Sequence, residues 1–269
     1  MSEKSLISPV DGLIIRPSGP WIKKKYHYLR NYCNIFTKAM GKKWSSSGLT
    51  FVDLFAGPGR CYITHTKENV EGSSLIALQY SFTNYIFVEQ DSECLNALKK
   101  RCQSSPKHER IHFIQGDCNK VIEKVLGSIN PKGLALIFID PTKINIEFDT
   151  IKKLVSDQRM DLLINIQDGM DIKRNFLLYK KQGDTSPLGK FLGGSVPWHT
   201  LEKPYDAVNL YKGRIKKLGY ATVAFKDIPI HNTKKAPMYF LFFASKNPRG
   251  TDLWRKITSR DDQGQFEFI

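Results

Sequence analysis

Acidic residues and one glycine-rich turn follow apolar segments at regular intervals along the chain. The turn Gly57-Pro58-Gly59 ends the apolar run 49–55, and the acids Glu89, Asp117 and Asp140 follow the runs 85–88, 111–114 and 134–139. The acids are 28 and 23 residues apart, which is the length of one strand, one helix and two short loops. In a doubly wound sheet the carboxyl ends of the strands share one edge, where ligands bind. The spacing therefore predicts a ligand site built from strand ends.

The glycine turn restricts the class of ligand. A dinucleotide loop needs Gly-x-Gly-x-x-Gly. Here Tyr62 occupies the position of the third glycine, and the next glycine after Gly59 is Gly72. A phosphate-binding Walker loop needs Gly-Lys-Ser/Thr, which is also missing. The turn favours a cofactor that carries no phosphate, and a purely structural Gly-Pro turn is the alternative.

Glu89 is the candidate ribose ligand, because one carboxylate can accept hydrogen bonds from two ribose hydroxyls. Its alternative role, as a helix N-cap, suits Asp91 better. Asp117 lies just before a predicted helix, so an N-cap role competes there with ligand binding.

Asp140 is the candidate catalytic carboxylate. It leaves a strand, Leu134–Ile139, that is almost wholly apolar, and it begins an Asp140-Pro141 pair. A turn-initiating Asp-Pro is the alternative. In the catalytic interpretation Asp140 orients or deprotonates an acceptor, Pro141 shapes the pocket, and Asn165 at the end of the next strand supplies a hydrogen bond.

The order of apolar runs predicts an α/β fold. Five strands alternate with helices, and the segments 221–230 and 237–245 form a terminal antiparallel hairpin. The prediction is a Rossmann-like, seven-stranded, mostly parallel sheet with helices on both faces. An irregular arm over 1–20 and a basic helix over 21–40 belong to an N-terminal part, 1–48. The main domain covers 49–246, with a polar loop at 60–71 and an insertion at about 168–204, and a tail with one short helix covers 247–269.

The net charge of +15 indicates a polyanionic partner, and nucleic acid is the leading class. The alternative is a soluble protein that is merely basic. The candidate phosphate-contacting residues are Lys23, Lys24, Lys25, Lys173, Arg174, Lys180 and Lys181. Five cysteines without CxxC spacing predict neither a disulfide framework nor a metal site. We find no 18-residue apolar span and no signal peptide, which favours a cytoplasmic protein without a membrane anchor.

The segment Asp53-Leu54-Phe55-Ala56-Gly57-Pro58-Gly59 resembles the first motif of class I S-adenosylmethionine (SAM) methyltransferases. With the segments 72–78, 87–91, 116–119, 138–141 and 161–165, it also resembles one family in particular, the three-Cys-motif partner proteins. These are bacterial methyltransferase-like proteins encoded beside a radical-SAM-type protein. The resemblance implies SAM as cofactor and a radical-SAM-type partner. The implied cofactor-binding residues are Asp53, Phe55, Ala56, Gly57, Pro58, Gly59, Glu89, Gln90, Asp117, Cys118 and Asp140.

Three functions follow as hypotheses. The first is SAM-dependent methyl transfer to nucleic acid. The second is a SAM-binding or nucleic-acid-binding partner subunit with reduced catalysis, because Asp140-Pro141-Thr142-Lys143 keeps only the first half of the Asp/Asn-Pro-Pro-aromatic motif of amino methyltransferases. The third is methyl transfer to a small molecule, for which the large positive charge would be unnecessary.

Overall fold

A computed structural model describes residues 6–156, 159–167, 171–220, 228–231 and 237–262. The chain forms two compact units, Met1–Phe138 and Ile139–Ile269. The predicted division of the chain near residues 48 and 246 stays a prediction.

The first unit carries most of the parallel strands. Its elements are β1 (Leu6–Ile7), β2 (Ile14–Ser18), α1 (Ile22–Met40), β3 (Leu49–Asp53), β4 (Arg60–Ile63), β5 (Glu68–Glu71), α2 (Ser73–Ala77), β6 (Asn84–Glu89), α3 (Ser92–Cys102), β7 (Ile111–Gln115), α4 (Cys118–Gly127) and β8 (Leu134–Ile139). The predicted basic helix is confirmed as α1.

The second unit contains the antiparallel strands of the central sheet and the remaining helices. Its elements are α5 (Phe148–Val155), β9 (Met160–Ile166), α6 (Lys173–Gln182), α7 (Pro187–Leu192), α8 (Pro204–Lys217), β10 (Ile228–His231), β11 (Pro237–Ser245) and α9 (Pro248–Asp262). The predicted insertion is mostly helical within 171–204, and residues 168–170 lie outside the described part. The tail helix around Trp254 is confirmed as α9, and it is longer than predicted.

Seven described strands form the central sheet in the order β10-β11-β9-β8-β3-β6-β7. Strand β3 runs parallel to β6 and β8, and β7 runs parallel to β6. Strand β11 is antiparallel to both β9 and β10. The predicted Rossmann-like sheet with a terminal antiparallel hairpin is therefore confirmed, although 221–227 and 232–236 lie outside the described residues.

The central strands are buried along their whole length. Every residue of β3 and of β9 is buried, and β8 is buried from Ala135 to Ile139. Strands covered on both faces read as continuous apolar runs, which is why the sequence identifies them. Strand β7 closes one end of the strand order and is only partly buried.

A second sheet, which the sequence did not predict, lies in the first unit. Its strand order is β1-β2-β4-β5, with β2 parallel to β4 and both end pairs antiparallel. The predictions of an irregular arm at 1–20 and a polar loop at 60–71 are therefore wrong for these strands. Each strand has only two to five residues, and Arg16 pairs with Cys61 from a distant part of the chain. Such short, partly polar strands have no clear period of two.

Arg101 of α3 links the second sheet to the glycine turn by hydrogen bonds. Its side chain is 4% exposed and donates to both carboxylate oxygens of Asp11, at 2.7 and 2.8 Å. It also donates to the carbonyls of Ile14 at 2.8 Å and Pro58 at 2.5 Å. One buried guanidinium thus joins the loop between β1 and β2 to the turn after β3.

We expect Arg101→Ala to lower the free energy of unfolding by about 3 kcal/mol, because several charge-assisted hydrogen bonds are lost together. Urea unfolding at pH 7 measures the change. Lys100→Ala, at an exposed position of the same helix, is the control and should leave stability nearly unchanged. An Arg101→Ala variant as stable as the Lys100→Ala variant would show that the Arg101 hydrogen bonds contribute little to the free energy of unfolding.

The Asp11 pair also predicts a pH dependence. Hydrogen bonding and charge from Arg101 lower the pKa of Asp11 from 3.8 to about 2. A carboxyl group whose pKa is depressed in the folded state stabilises the fold above its unfolded pKa and loses that effect as pH falls toward the folded value. The stability difference between wild type and Asp11→Asn should be full above pH 4 and should vanish on acidification to about pH 2. Urea midpoints measured across this range test the sign.

Among the described helices, no segment has the length and apolar character needed to cross a membrane.

Candidate functional site

The turn after β3 is buried and has two glycines in the left-handed region. Gly57 has φ +61° and Gly59 has φ +86°, which disfavours side chains at both positions. The turn is held in place by Ala56 N donating to Val88 O at 2.9 Å and Gly72 N donating to Gly59 O at 2.7 Å. The predicted turn is therefore confirmed as a fixed part of the sheet edge.

Asp53, predicted to bind cofactor, supports the turn from within. It is fully buried, and its carboxylate accepts from Phe55 N and from Ser74 Oγ, both at 3.2 Å. Ser74 Oγ also lies 3.2 Å from Ala56 O. These contacts give Asp53 a positioning role for the glycine turn, and a direct ligand contact by Asp53 stays a prediction.

Glu89 lies at the end of β6 and is 5% exposed. One carboxylate oxygen accepts from Gly57 N at 2.8 Å, and the other accepts from Asp91 N at 3.0 Å. The Nη2 atom of Arg16 lies 3.3 Å from both oxygens. The structure thus brings together the predicted ribose ligand and the glycine turn, and it adds a third group, Arg16.

Arg16 is a site residue that the sequence analysis missed. It lies in β2 of the second sheet, and its Cδ is 4.0 Å from the position that a Cβ on Gly57 would take. Burial opposes its charge, but Glu89 and Cys94 raise the pKa of Arg16 overall. No local sequence motif identifies this arginine as a site residue, because it lies near Glu89 only through the pairing of β2 with β4.

The residues after β6 and β7 mainly cap helices. Asp91 is the N-cap of α3 and accepts from Glu93 N and Cys94 N, as the sequence predicted. Asp117 is the N-cap of α4 and accepts from Asn119 N at 3.0 Å. Gln90 is exposed and Cys118 is buried. The cap role of Asp117 is confirmed, and adenine contacts by Asp117, Gln90 and Cys118 stay predictions.

The glycine turn leaves room for a ligand beside one of its two glycines. A Cβ added at Gly57 would meet only the Cδ of Arg16 within 4 Å, so the glycine leaves room beside the backbone. At Gly59 the added Cβ would lie 2.8 Å from a methyl of Leu98, so that glycine is needed for packing. Of the two glycines, Gly57 is the one that leaves space for a ligand.

In the second unit, Asp140 forms a cluster with the end of β9. Asn165 Nδ2 donates to Asp140 Oδ1 at 2.6 Å, and Asn165 is 1% exposed. Gln167 Nε2 donates to Pro141 O at 2.7 Å. The predicted trio Asp140, Pro141 and Asn165 is thus brought together, and Asn165 fixes the orientation of the Asp140 carboxylate.

Asp171 ties this loop to the helix that follows. Its Oδ2 accepts from Ile144 N at 2.9 Å, and its Oδ1 accepts from Tyr179 Oη at 2.6 Å and Asn175 Nδ2 at 2.8 Å. Burial and the Asp171 contact raise the pKa of Tyr179, which keeps the phenol protonated. Sequence reasoning assigned no role to Gln167 or Asp171, although the polar run after the apolar strand was a signal.

The predicted phosphate-contacting lysines and arginine differ in their exposure and in the partners of their side chains. Lys25 is 7% exposed with its Nζ 5.3 Å from the ring centre of Tyr26, so its position does not suit a phosphate contact. Lys23 pairs with Glu68 at 2.6 Å, and Lys180 donates to Leu201 O at 2.7 Å. Lys173, Arg174 and Lys181 are exposed, and Lys24 is partly exposed. Of these seven residues, Lys173, Arg174 and Lys181 on α6 are the best placed for a polyanion.

No family model matches the chain, and no curated protein matches its sequence. Solved structures match its fold. A protein from Legionella pneumophila superposes with a TM-score of 0.53 at 9% identity, over 87% of this chain and 91% of the other. An O-methyltransferase from Bacillus cereus in complex with SAH gives 0.49 at 11% identity, over 91% and 84% of the two chains. TYW2 from M. jannaschii in complex with AdoMet gives 0.45 at 12% identity, over 91% and 85%. The first likeness supports the fold, and the resemblance to the three-Cys-motif partner proteins stays a prediction.

Proposed function

We propose that this chain is a SAM-dependent methyltransferase that acts on nucleic acid. The observation that carries the proposal is the joint geometry of the glycine turn and the strand-end acid, in which Gly57 N lies 2.8 Å from the Glu89 carboxylate. In the proposed complex Glu89 would accept from the ribose diol, beside a backbone that a ligand can approach. The turn lacks the third glycine that a pyrophosphate requires.

The proposed cofactor supplies a methyl group that is already activated by a positively charged sulfur. The protein's task is therefore mainly alignment of the acceptor, which can account for much of the acceleration. Asp140 would orient the acceptor atom and take its proton as that atom bonds to the methyl group, while the bond from the methyl group to sulfur breaks and leaves SAH. Asn165 would hold the Asp140 carboxylate in place through the 2.6 Å hydrogen bond.

Charge supports nucleic acid as the substrate class. The net charge of +15 attracts polyanions, and helix α6 exposes Lys173, Arg174 and Lys181. A membership in the three-Cys-motif partner family, and with it a radical-SAM-type partner protein and a cytoplasmic location, forms the finer part of the proposal. The family membership and the partner protein rest on the motif resemblance alone.

One contact favours a second candidate, a partner subunit with reduced catalysis. In amino methyltransferases that act on bases, the proline carbonyl of the catalytic motif holds the target amine. Here the Pro141 carbonyl already accepts from Gln167 at 2.7 Å, and Thr142 and Lys143 replace the second proline and the aromatic residue. This contact favours a methyl acceptor other than a base amine, or a chain that has lost methyl transfer.

Calorimetry followed by a transfer assay tests the proposal. The purified chain should bind SAM and SAH, and it should transfer labelled methyl from SAM to total RNA or total DNA. Binding without transfer to any polynucleotide would favour the partner-subunit function. Transfer to small molecules that does not depend on salt would overturn nucleic acid as the substrate, and failure to bind SAM or SAH would overturn the proposal as a whole.

Arg16 leads to a prediction about affinity. A carboxylate offers about four acceptor positions, and Gly57, Asp91 and the two contacts of Arg16 use them at Glu89. A ribose diol must therefore replace Arg16. We expect Arg16→Ala to tighten adenosine binding about fivefold, since breaking a partly exposed ion pair costs about 1 kcal/mol.

Isothermal calorimetry with adenosine measures this effect without the amino-acid part of the cofactor. Arg60→Ala is the matched control, because Arg60 lies in the same small sheet and pairs with Asp11 instead. Weaker adenosine binding by Arg16→Ala than by Arg60→Ala would show that Arg16 assists the ligand rather than competing with it.

A further inference from the structure

Helix α6 has an exposed face on which two leucines lie among cations. Leu177 is 79% exposed and Leu178 is 52% exposed, and Lys173, Arg174 and Lys181 are exposed on the same helix. These five residues occur at helical positions that share one face. The two leucines are among only five large apolar side chains that are exposed in the described part of the chain.

The opposite face of α6 anchors the helix. Phe176 and Tyr179 are buried, and the Tyr179 hydroxyl donates to Asp171 at 2.6 Å. Asn175 Nδ2 donates to the carbonyl and the carboxylate of Asp171 at 3.1 and 2.8 Å. Since these contacts already fix the helix, Leu177 and Leu178 add little to the stability of the fold. Their exposure points to a role at the surface.

We propose that this face of α6, the Leu177–Leu178 surface, binds nucleic acid by inserting the leucine side chains at a base step while Lys173, Arg174 and Lys181 neutralise the adjacent phosphates. The inference rests on the proposed function and specifies how the substrate is engaged. Apolar wedges of this kind separate stacked bases in known minor-groove complexes, and unstacking frees a base for chemistry.

Charge and area favour nucleic acid over a lipid surface. The sequence of α6 contains lysines and an arginine but no acid, so the helix as a whole suits a polyanion. Membrane binding by an interfacial helix increases with its buried apolar area, and two leucines on a ten-residue helix supply little. A wedge, in contrast, needs only one or two apolar side chains.

Asp171 connects this surface to the proposed catalytic loop. The same carboxylate accepts from Tyr179 of α6 and from Ile144 N, four residues after Asp140. A nucleic acid held on α6 is therefore held by an element that is fastened directly to the Asp140 loop. The contact gives the surface a defined position relative to Asp140 within the second unit.

Fluorescence of 2-aminopurine placed within duplex DNA and within a hairpin RNA tests the wedge, because this base becomes brighter when it is unstacked. Wild type should bind at least one probe and raise its fluorescence severalfold. The double variant Leu177→Ala, Leu178→Ala should keep binding within about threefold and lose most of the increase. The control is Ile7→Ala with Val10→Ala, which alters two other exposed apolar residues and should behave as wild type.

Charge removal separates the phosphate contacts from the wedge. The triple variant Lys173→Gln, Arg174→Gln, Lys181→Gln should lose at least tenfold in affinity, and its dependence of log affinity on log salt should become shallower by about 0.7 to 0.9 for each lost contact. Circular dichroism shows whether each variant is folded. Neither set of variants alters a residue assigned to cofactor binding or to the Asp140 cluster.

An unchanged fluorescence increase in the double leucine variant would overturn the wedge. Binding of wild type to anionic phosphatidylglycerol vesicles that is lost in the same variant, with no binding to either nucleic acid, would assign the surface to a membrane instead. These assays need no cofactor, so a protein that binds SAH but neither probe overturns this inference while leaving cofactor binding intact. A protein that unstacks the probe but binds no SAH would leave the wedge standing without the proposed methyl transfer.

Discussion

Glu89→Gln should weaken binding of SAH and adenosine about a hundredfold. The carboxylate is the proposed acceptor for both ribose hydroxyls, and loss of charge-assisted hydrogen bonds worth about 3 kcal/mol corresponds to roughly a factor of a hundred in Kd. The amide nitrogen of glutamine would also face one of the two donors, Gly57 N or Asp91 N, which contact different carboxylate oxygens in the structure. Isothermal calorimetry with both ligands measures the loss.

Glu93→Gln is the matched control for this experiment. Glu93 is an exposed acid in the first turn of the next helix, four residues away, and its substitution should leave both affinities unchanged. Thermal unfolding of the two variants separates a lost ligand contact from a lost fold. If a folded Glu89→Gln protein bound SAH as tightly as wild type, Glu89 would not be the ribose ligand.

Asp140→Asn should reduce methyl transfer by a factor of about a hundred to ten thousand. Asparagine keeps an oxygen that can accept from Asn165, so the 2.6 Å contact can persist while the negative charge is lost. General base assistance by a positioned side chain is typically worth such a factor. Single-turnover transfer of labelled methyl to the best polynucleotide substrate measures the effect directly.

Two comparisons define what the result means. Asp149→Asn removes an exposed acid in the same unit and should transfer methyl at the wild-type rate. Asn165→Ala removes the group that holds Asp140 and should reduce the rate less than Asp140→Asn does. Undiminished transfer by Asp140→Asn would remove this acid from the mechanism and would strengthen the case for a different acceptor-binding group.

Together these experiments separate the two units of the chain. The variants at Glu89 and Arg16 concern the proposed ligand site of the first unit, and the variants at Asp140, Asn165 and helix α6 concern the second unit. A cofactor-binding partner subunit would lose ligand affinity in Glu89→Gln, gain it in Arg16→Ala, and show no transfer to lose in the second set. A methyltransferase would show the same changes in ligand affinity and would also lose transfer in Asp140→Asn.

The sequence alone determined the central sheet. Strands β3, β6, β8 and β9 consist mostly of apolar residues because they are buried, and glycines or acids mark where they end. These signals are local, so single-sequence reasoning found them. The glycine turn, Glu89, the Asp91 cap and the pair of Asp140 with Asn165 followed from the same periodic pattern.

Only the tertiary structure revealed the second sheet and the contacts that it brings to the site. Arg16 reaches Glu89 through the pairing of β2 with β4, and Arg101 reaches Asp11 from α3, across separations of 73 and 90 residues. Gln167 and Asp171 likewise became meaningful only when their donors and acceptors were located. Long-range hydrogen bonds depend on which distant segments of the chain come into contact. Residue type and local periodicity do not predict those contacts.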